Sequence, residues 1–384
     1  MRSTRFRSKY ALGIVLACAL SAAFAEAAHA AAKDDYYLYV GTYTRGKSKG
    51  IYAWRFHAAD GSVQPIGLVA ETSNPSFLAV APNGKFLYAA NENNAGMVSA
   101  FSIDNATGNL AALNQVSSKG GGPCHVSLDR AGKFVFVANY NTGSIASYPV
   151  KADGSLGEAV GFVQHSGSSV DPERQKGPHA HSVVPSPDGR FLLSADLGLD
   201  EVLVYKIGAN GSLTPNDPPF AKVAPGSGPR HIAFSHDGKL VYVVTEMVPA
   251  VTVFRYDAQR GSLESIQTIA SLPEDYQGNK SGAEVAMSSS GLFVYSSNRG
   301  ADSIAAFAVD RKKGTLTAAG RFPVGGKTPR NFAIDPTGKW LFAANQDSDT
   351  IVKFAIDAKS GALKQSGETL EAGAPVCVVF ATAK

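Results

Sequence analysis

The sequence predicts an all-β chain folded as a seven-bladed β-propeller, with the seventh blade closed by the N- and C-terminal strands. Three observations carry this reading. First, one pattern recurs six times, as "APNGKFLYAAN" at 81, "DRAGKFVFVAN" at 129, "SPDGRFLLSAD" at 186, "SHDGKLVYVVT" at 235, "SSSGLFVYSSN" at 288 and "DPTGKWLFAAN" at 335. The turn glycines at 84, 132, 189, 238, 291 and 338 are spaced by 48, 57, 49, 53 and 47 residues, so the surplus falls in loops. Second, every unit reads as strand throughout. A short strand such as "PCHVSLD" or "PRHIAFS" meets the glycine turn, and an alternating strand rich in Phe, Val, Leu and Tyr follows. A third strand such as "GSIASYPV" or "DEVLVYKI" comes next, then a fourth beyond turns like "TGNL" and "KGTL". Four antiparallel strands in about 50 residues make a propeller blade. Third, the C-terminal "GAPVCVVF" matches a first strand with nothing after it, and the N-terminal "YYLYVGT" a second strand with nothing before it. Together they complete a blade, and closure removes the sheet edges an open array would expose.

Taken in order, residues 1–30 read as a secretory signal peptide. Arg2, Arg5, Arg7 and Lys9 precede the apolar run "ALGIVLACALSAAFA", which leads to the small-residue "AHA" ending at Ala30. Residues 31–384 are then one propeller domain, expected in the periplasm or outside the cell. The apolar run is too short and alanine-rich to remain as a membrane span, and Cys18 sits in a poor lipid-attachment context. Removing four basic and one acidic side chain takes the formal charge from +4 to about +1. Such a chain gives no electrostatic reason to expect nucleic acid or a membrane surface as partner, and a monomer or weak dimer is expected. Cys124 and Cys377 read as two buried free thiols rather than a bridge, and no Cys/His spacing suggests a metal site.

The opening of the domain, "GTYTRGKS" at Gly41–Ser48, matches the phosphate-cradling pattern G-x-x-x-x-G-K-[ST]. A working phosphate loop needs a helix after it, and here "KGIYAWRF" alternates as a strand. The overlapping G-x-S-x-G at Gly46–Gly50 fails as a nucleophile elbow for the same reason. The segment is read instead as a strand end and loop, with Gly41–Tyr43 at the functional face.

Antiparallel connection selects that face. The first strand of a blade starts at one end of the disc and the second returns there, so residues before the first and after the second converge around the channel. Eight residues before the turn glycines stand Ser76, Cys124, His181, Arg230, Ala283 and Arg330; seven before stand Phe77, His125, Ser182, His231, Glu284 and Asn331. Seven and eight after them come pairs including Asn91 and Glu92, Asp196, Glu246, Arg299, and Asn345 and Gln346. A ring of Arg, His, Glu and Asn from different blades is the convergent polar site of a small-molecule pocket. Arg230, Arg299 and Arg330 suit an anionic ligand or developing negative charge, and Glu246 and His181 are the general-base candidates. Each residue alone has a bland alternative as a strand-end cap or an inter-blade ion pair. Cys124 reads as packing, and His29, His57, His165 and His236 as signal, turn or loop residues. The lack of Gly-His and Trp-Asp markers, with only Trp54 and Trp340 present, disfavours the WD40 type.

The order "GTYT…GIY", "KGPHAHSV", "DLGLDEVLVYK", "GPRHIAF", "SSNRGADSI" and "PRNFAIDPTGKWLFAANQDSDTI" resembles the lactonase-type seven-bladed propellers, over essentially all of residues 36–380. That family includes the bacterial propeller form of 6-phosphogluconolactonase and the carboxymuconate-lactonising cycloisomerase. The resemblance implies a catalytic set of His181, Arg230, Glu246 and Arg299 on separate strands. The polar ring leaves His179, His231, Glu284, Arg330, Asn331, Asn345, Gln346, Asp196, Glu92 and His125 as substrate-binding candidates. The chemistry implied is hydrolysis of an anionic sugar lactone, with no metal or organic cofactor. Export sets this chain apart from cytoplasmic phosphogluconolactone metabolism and makes a periplasmic aldonolactone, phosphorylated or not, an alternative substrate. Two competing readings are a non-catalytic periplasmic binding or scaffold propeller and a muconate cycloisomerase.

Overall fold

The fold follows from six repetitions of one local choice, a short apolar strand, a glycine turn and a second strand buried on both faces, and a seventh such strand pair assembled from the two ends of the chain. In a computed structural model that describes residues 34–383, these repeats form seven antiparallel sheets, with no helix among the described residues. The residues read as a signal peptide lie outside the described part. Six blades run in chain order from their innermost strands, Pro75–Val80, Pro123–Leu128, Ala180–Pro185, Pro229–Phe234, Gly282–Met287 and Pro329–Ile334. We number them one to six. The seventh takes its innermost strand, Pro375–Thr382, from the C-terminus and its next three, Asp35–Thr42, Gly50–His57 and Ser62–Glu71, from the N-terminus. The two ends pair antiparallel from Tyr36↔Thr382 to Gly41↔Cys377. Each innermost strand packs on the next and the seventh packs on the first, so the ring is closed.

The second strands, such as Phe134–Asn139 and Phe293–Asn298, are buried almost end to end between neighbouring blades. Their unbroken apolar runs are what a strand covered on both faces requires. One contact repeats at all seven junctions. The outer-hairpin glycines Gly61, Gly108, Gly154, Gly211, Gly261, Gly314 and Gly361 have positive φ and lie against the start of the neighbouring blade's second strand. The facing side chains are Trp340, Tyr37, Phe86, Phe134, Phe191, Leu240 and Phe293. The approach is close, since a Cβ added at Gly361 would stand 2.5 Å from the Phe293 ring. Six partners are aromatic and one, Leu240, is not. Below three of these turns the second-strand tyrosine donates to the glycine carbonyl: Tyr39 to Gly108, Tyr88 to Gly154 and Tyr295 to Gly361.

A second repeated device sits at the other end of the disc. Every innermost strand carries one residue more than its partner near its start. The register jumps between Pro75 and Phe77, Pro123 and His125, Ala180 and Ser182, Pro229 and His231, Gly282 and Val285, and Pro329 and Asn331. The seventh blade skips Val376. The unpaired residues therefore include Ser76, Cys124, His181, Arg230 and Arg330. A bulge re-aims side chains, so adjacent residues such as Arg230 and His231 both reach the channel region where a regular strand would send one to each face.

Candidate active site

The bulged strand starts converge at one mouth of the channel, and their side chains form two layers. The deeper layer is a plug of rings. Phe77 of blade one stacks on His125 of blade two at 4.2 Å between centroids, and the His231 ring of blade four meets Phe77, His125 and His181 at 5.4, 5.3 and 5.2 Å. His231 meets blade one as well as blades two and three, so these rings form the floor of the site.

Above the floor lies an ion cluster centred on Glu246, which follows the second strand of blade four. Its Oε2 accepts from Arg230 Nε at 3.1 Å and from Arg299 Nη2 at 2.8 Å, and its Oε1 accepts from Arg174 Nη2 at 2.8 Å. His181 Nε2 lies 4.0 Å from the same Oε2. Burial opposes ionisation of Glu246, but Arg299, Arg230 and Arg174 outweigh it and hold the carboxyl at about 2. Burial lowers the Arg299 guanidinium to about 10 despite its pairing with Glu246. His181 is driven well below the usual histidine range by burial and then by Arg230, so its ring is neutral near pH 7. Cys124 lies against His181, with Sγ 3.3 Å from the His181 carbonyl and 3.7 Å from Nδ1, and burial pushes its thiol up. It is packing, not a thiolate. Both Cys124 and Cys377 are free and buried.

Arg330, on the bulge of blade six, makes no ion pair among the described residues. Its guanidinium lies 5.3 Å over the Tyr43 ring, whose hydroxyl donates to Glu92 Oε2 at 2.9 Å. The Gly41–Tyr43 segment thus reaches the site as expected, and the strand Gly50–His57 follows the loop where a phosphate loop would need a helix.

The substrate-binding candidates divide into three groups. Arg330 and Glu92 are at the channel mouth, and His179 stacks on Tyr140 at 4.5 Å and bonds the Tyr140 carbonyl through Nδ1. His125, His231, Glu284 and Asn331 are brought together but bond chiefly within the protein. His231 Nδ1 lies 2.9 Å from Glu284 Oε2, and Asn331 Nδ2 donates to that same oxygen at 2.5 Å. The His125 Nδ1 accepts from Val183 N at 3.4 Å.

Asn345 and Asp196 form the third group, and the structure gives both of them partners within the protein. Both are fully buried braces for the loop entering their own blade. Asn345 Nδ2 donates to the Val324 carbonyl, while Asp196 accepts from His179 N and Gly198 N and pairs with His165 at 2.6 Å. Asn91, Asn139 and Asn298 do the same for Ser73, Ser118 and Ser271. The reason is that a loop peptide group without a strand partner needs one, and the last residue of the second strand supplies it: the asparagines donate to a loop carbonyl, and Asp196 accepts from loop N–H groups. Gln346 stays at the rim, where it donates to Asp347. His165, read from sequence as a loop residue, is buried against Asp196.

Arg174 is the member of the ion cluster that sequence reasoning missed. It lies in the loop before blade three, contacts Tyr140 as well as Glu246, and is half-exposed. The one signal for it was the 57-residue interval between Gly132 and Gly189, the longest of the five. Among the described residues, no group of three or more His, Cys, Asp or Glu is arranged to hold a metal ion.

A closed seven-bladed ring with one polar mouth of this composition defines a class of small-molecule-binding or catalytic propellers, and comparison with known proteins places the chain within it. The chain belongs to the family described as lactonase, 7-bladed beta-propeller, whose profile it matches over residues 37–380. It is 37% identical over 294 residues to the 6-phosphogluconolactonase of Bacillus subtilis, covering 76% of this chain and 83% of that one. A 6-phosphogluconolactonase of Formosa agariphila is 34% identical over 302 residues, covering 77% and 85%. Among solved structures, the periplasmic gluconolactonase PpgL of Pseudomonas aeruginosa superposes with a TM-score of 0.86 at 39% identity, covering 91% of this chain and all of that one.

Proposed function

We propose that the protein is an exported lactone hydrolase that opens an anionic or neutral sugar lactone, of the 6-phosphogluconolactone or aldonolactone type, to its aldonate. The observation that carries this reading is the unequal pairing of the mouth's four guanidiniums. Arg174, Arg230 and Arg299 share one carboxylate, and Arg330 has none among the described residues, so the site has positive charge to offer a ligand beside a neutral imidazole. In this reading His181 is the base. Glu246 is held as a carboxylate at about 2 and both its oxygens are taken by arginines, which leaves it a weak proton acceptor and a good anchor.

The step balances without further reagents. Water bonds through oxygen to the lactone carbonyl carbon as its proton passes to His181, and the carbonyl electron pair moves onto oxygen, facing the guanidiniums. Collapse of that oxyanion breaks the bond to the ring oxygen, which takes the proton back from the imidazolium. Donors fixed beforehand around the developing charge supply the rate enhancement. Arg330 and Arg174, on opposite sides of the mouth, are the groups that receive a phosphate or hydroxyl tail.

Export rests on residues 1–30, supported by the periplasmic relative. The test is stopped-flow hydrolysis of freshly dissolved glucono-1,5-lactone and its 6-phosphate, with the spontaneous rate subtracted. Wild-type protein should accelerate at least one lactone, and Arg230→Ala should lose most of that rate. A rate equal to the blank on both lactones overturns the reading and leaves a binding propeller.

A further inference from the structure

We infer that His231, Glu284 and Asn331 are positioning residues that fix the rotation of the Arg230 guanidinium, through a chain of hydrogen bonds running around the ring from blade four to the C-terminal strand. The inference rests on the hydrolase reading for its kinetic consequence, but the chain itself is a matter of geometry. Starting at the far end, the backbone N–H of Val378 in blade seven donates to Asn331 Oδ1 at 2.8 Å, and Asn331 Nδ2 donates to Glu284 Oε2. Glu284 Oε1 accepts from the backbone N–H of Val285 at 3.0 Å, and Oε2 also faces His231 Nδ1. The other imidazole nitrogen, Nε2, lies 3.3 Å from Arg230 Nη1.

Elementary donor and acceptor rules then settle the protons. A guanidinium only donates, so His231 Nε2 accepts, and the ring proton sits on Nδ1 and is donated to Glu284. A protonated His231 would set an N–H and a positive charge against Arg230. The groups facing the ring all bear on this: Arg230 on its own strand, Glu246 in blade four, Glu284 and Arg299 in blade five, Arg330 in blade six, and the His125 and His181 rings from blades two and three. Burial and then Arg230 and Arg330 keep the ring neutral. Burial raises the Glu284 carboxyl to about 7, against the pull of Arg230.

The consequence is directional. Arg230 Nη1 donates to both the Ala283 carbonyl, at 2.7 Å, and His231, while Nε donates to Glu246. That leaves Nη2 as the nitrogen without a partner among the described residues, and the chain determines which way it points. Without His231 as acceptor, rotation about the last side-chain bonds would redistribute these donors, and a misplacement of about 1 Å costs on the order of 100-fold in rate.

The test compares Glu284→Leu, which removes the acceptor, with Glu284→Gln, which keeps one, and with Asn331→Leu at the far end of the chain. Long-range imidazole 15N NMR of the wild-type protein should show His231 protonated on Nδ1, and Glu284→Leu should move that proton to Nε2. Glu284→Leu and Asn331→Leu should lower kcat on the better lactone by about 10- to 100-fold with KM changed less than threefold, and Glu284→Gln should recover to within about tenfold of wild type. A wild-type His231 protonated on Nε2, or a folded Glu284→Leu protein with unchanged kcat, overturns the inference. Should the wild-type protein open no lactone, the hydrolase reading fails on its own and the NMR tautomer still decides the chain.

Discussion

At the scale of the residue, the site is governed by one carboxylate that keeps three guanidiniums from repelling one another. Glu246 is buried, so its pairing with Arg230, Arg299 and Arg174 is little screened by salt. Breaking such a cluster from one side leaves uncompensated charge, and Glu246→Gln should cost about 3–5 kcal/mol of stability near pH 7. The pH dependence has a definite sign. The folded carboxyl is depressed to about 2 from an ordinary 4.5, so its contribution is complete above about 4.5 and is lost as pH falls towards 2. Denaturant melts of the wild-type protein should therefore lose stability through that window, and Glu246→Gln should flatten the loss. Parallel acid profiles for the two proteins would show that the cluster contributes nothing to stability. His181 plays the opposite part, kept neutral by the burial and positive charge that would make its imidazolium costly.

At the scale of the strand and turn, much of the molecule was legible in the sequence, because the two devices that build a blade leave marks of different strength. The inner turn glycines at near-regular spacing gave the strand order, the face and the split blade. The glycine of the outer hairpin and its facing ring were also present, but their contact joins residues in neighbouring blades and has no local signature. The junction of blades four and five shows what that contact does. There Leu240 replaces the ring opposite Gly314, a cavity of about 90 Å³ opens beside Tyr242, Met287 and Val309, and the Tyr242 hydroxyl has no hydrogen-bond partner among the described residues. Leu240→Phe should fill this space and raise stability by about 1 kcal/mol, seen as a Tm increase of about 2 °C. A lower Tm would mean the junction is already tightly packed. The bulges were not legible, since one extra residue in a short polar strand start disturbs no visible alternation. They explain why both Arg230 and His231 belong to the site. Nor could sequence distinguish a polar side chain facing the channel from one bracing a loop, which is how Asn345 and Asp196 came to be counted with Arg330. Arg174 lay in a segment with no periodicity to read.

At the scale of the whole molecule, ring closure and site are one structure. The C-terminal strand supplies the partner of Asp35–Thr42, the wall against blades one and six, and the Val378 amide that anchors the chain leading to Arg230. Deleting residues 375–384 should abolish a single cooperative thermal transition, because blade seven would lose its innermost strand and two neighbours their cover. A truncated protein melting like the full-length one would show that closure is dispensable. The closed ring also brings residues from all seven blades together at one mouth, and that convergence is what the hydrolase reading depends on. The most direct measurement is the rate at which wild-type and His181→Asn proteins open fresh glucono-1,5-lactone and its 6-phosphate above the spontaneous rate, with gluconate and 6-phosphogluconate binding measured alongside. The account predicts a wild-type acceleration that falls by about 100-fold or more in His181→Asn while product binding changes little. A His181→Asn protein that keeps its rate, or a wild-type protein no faster than water, would contradict it.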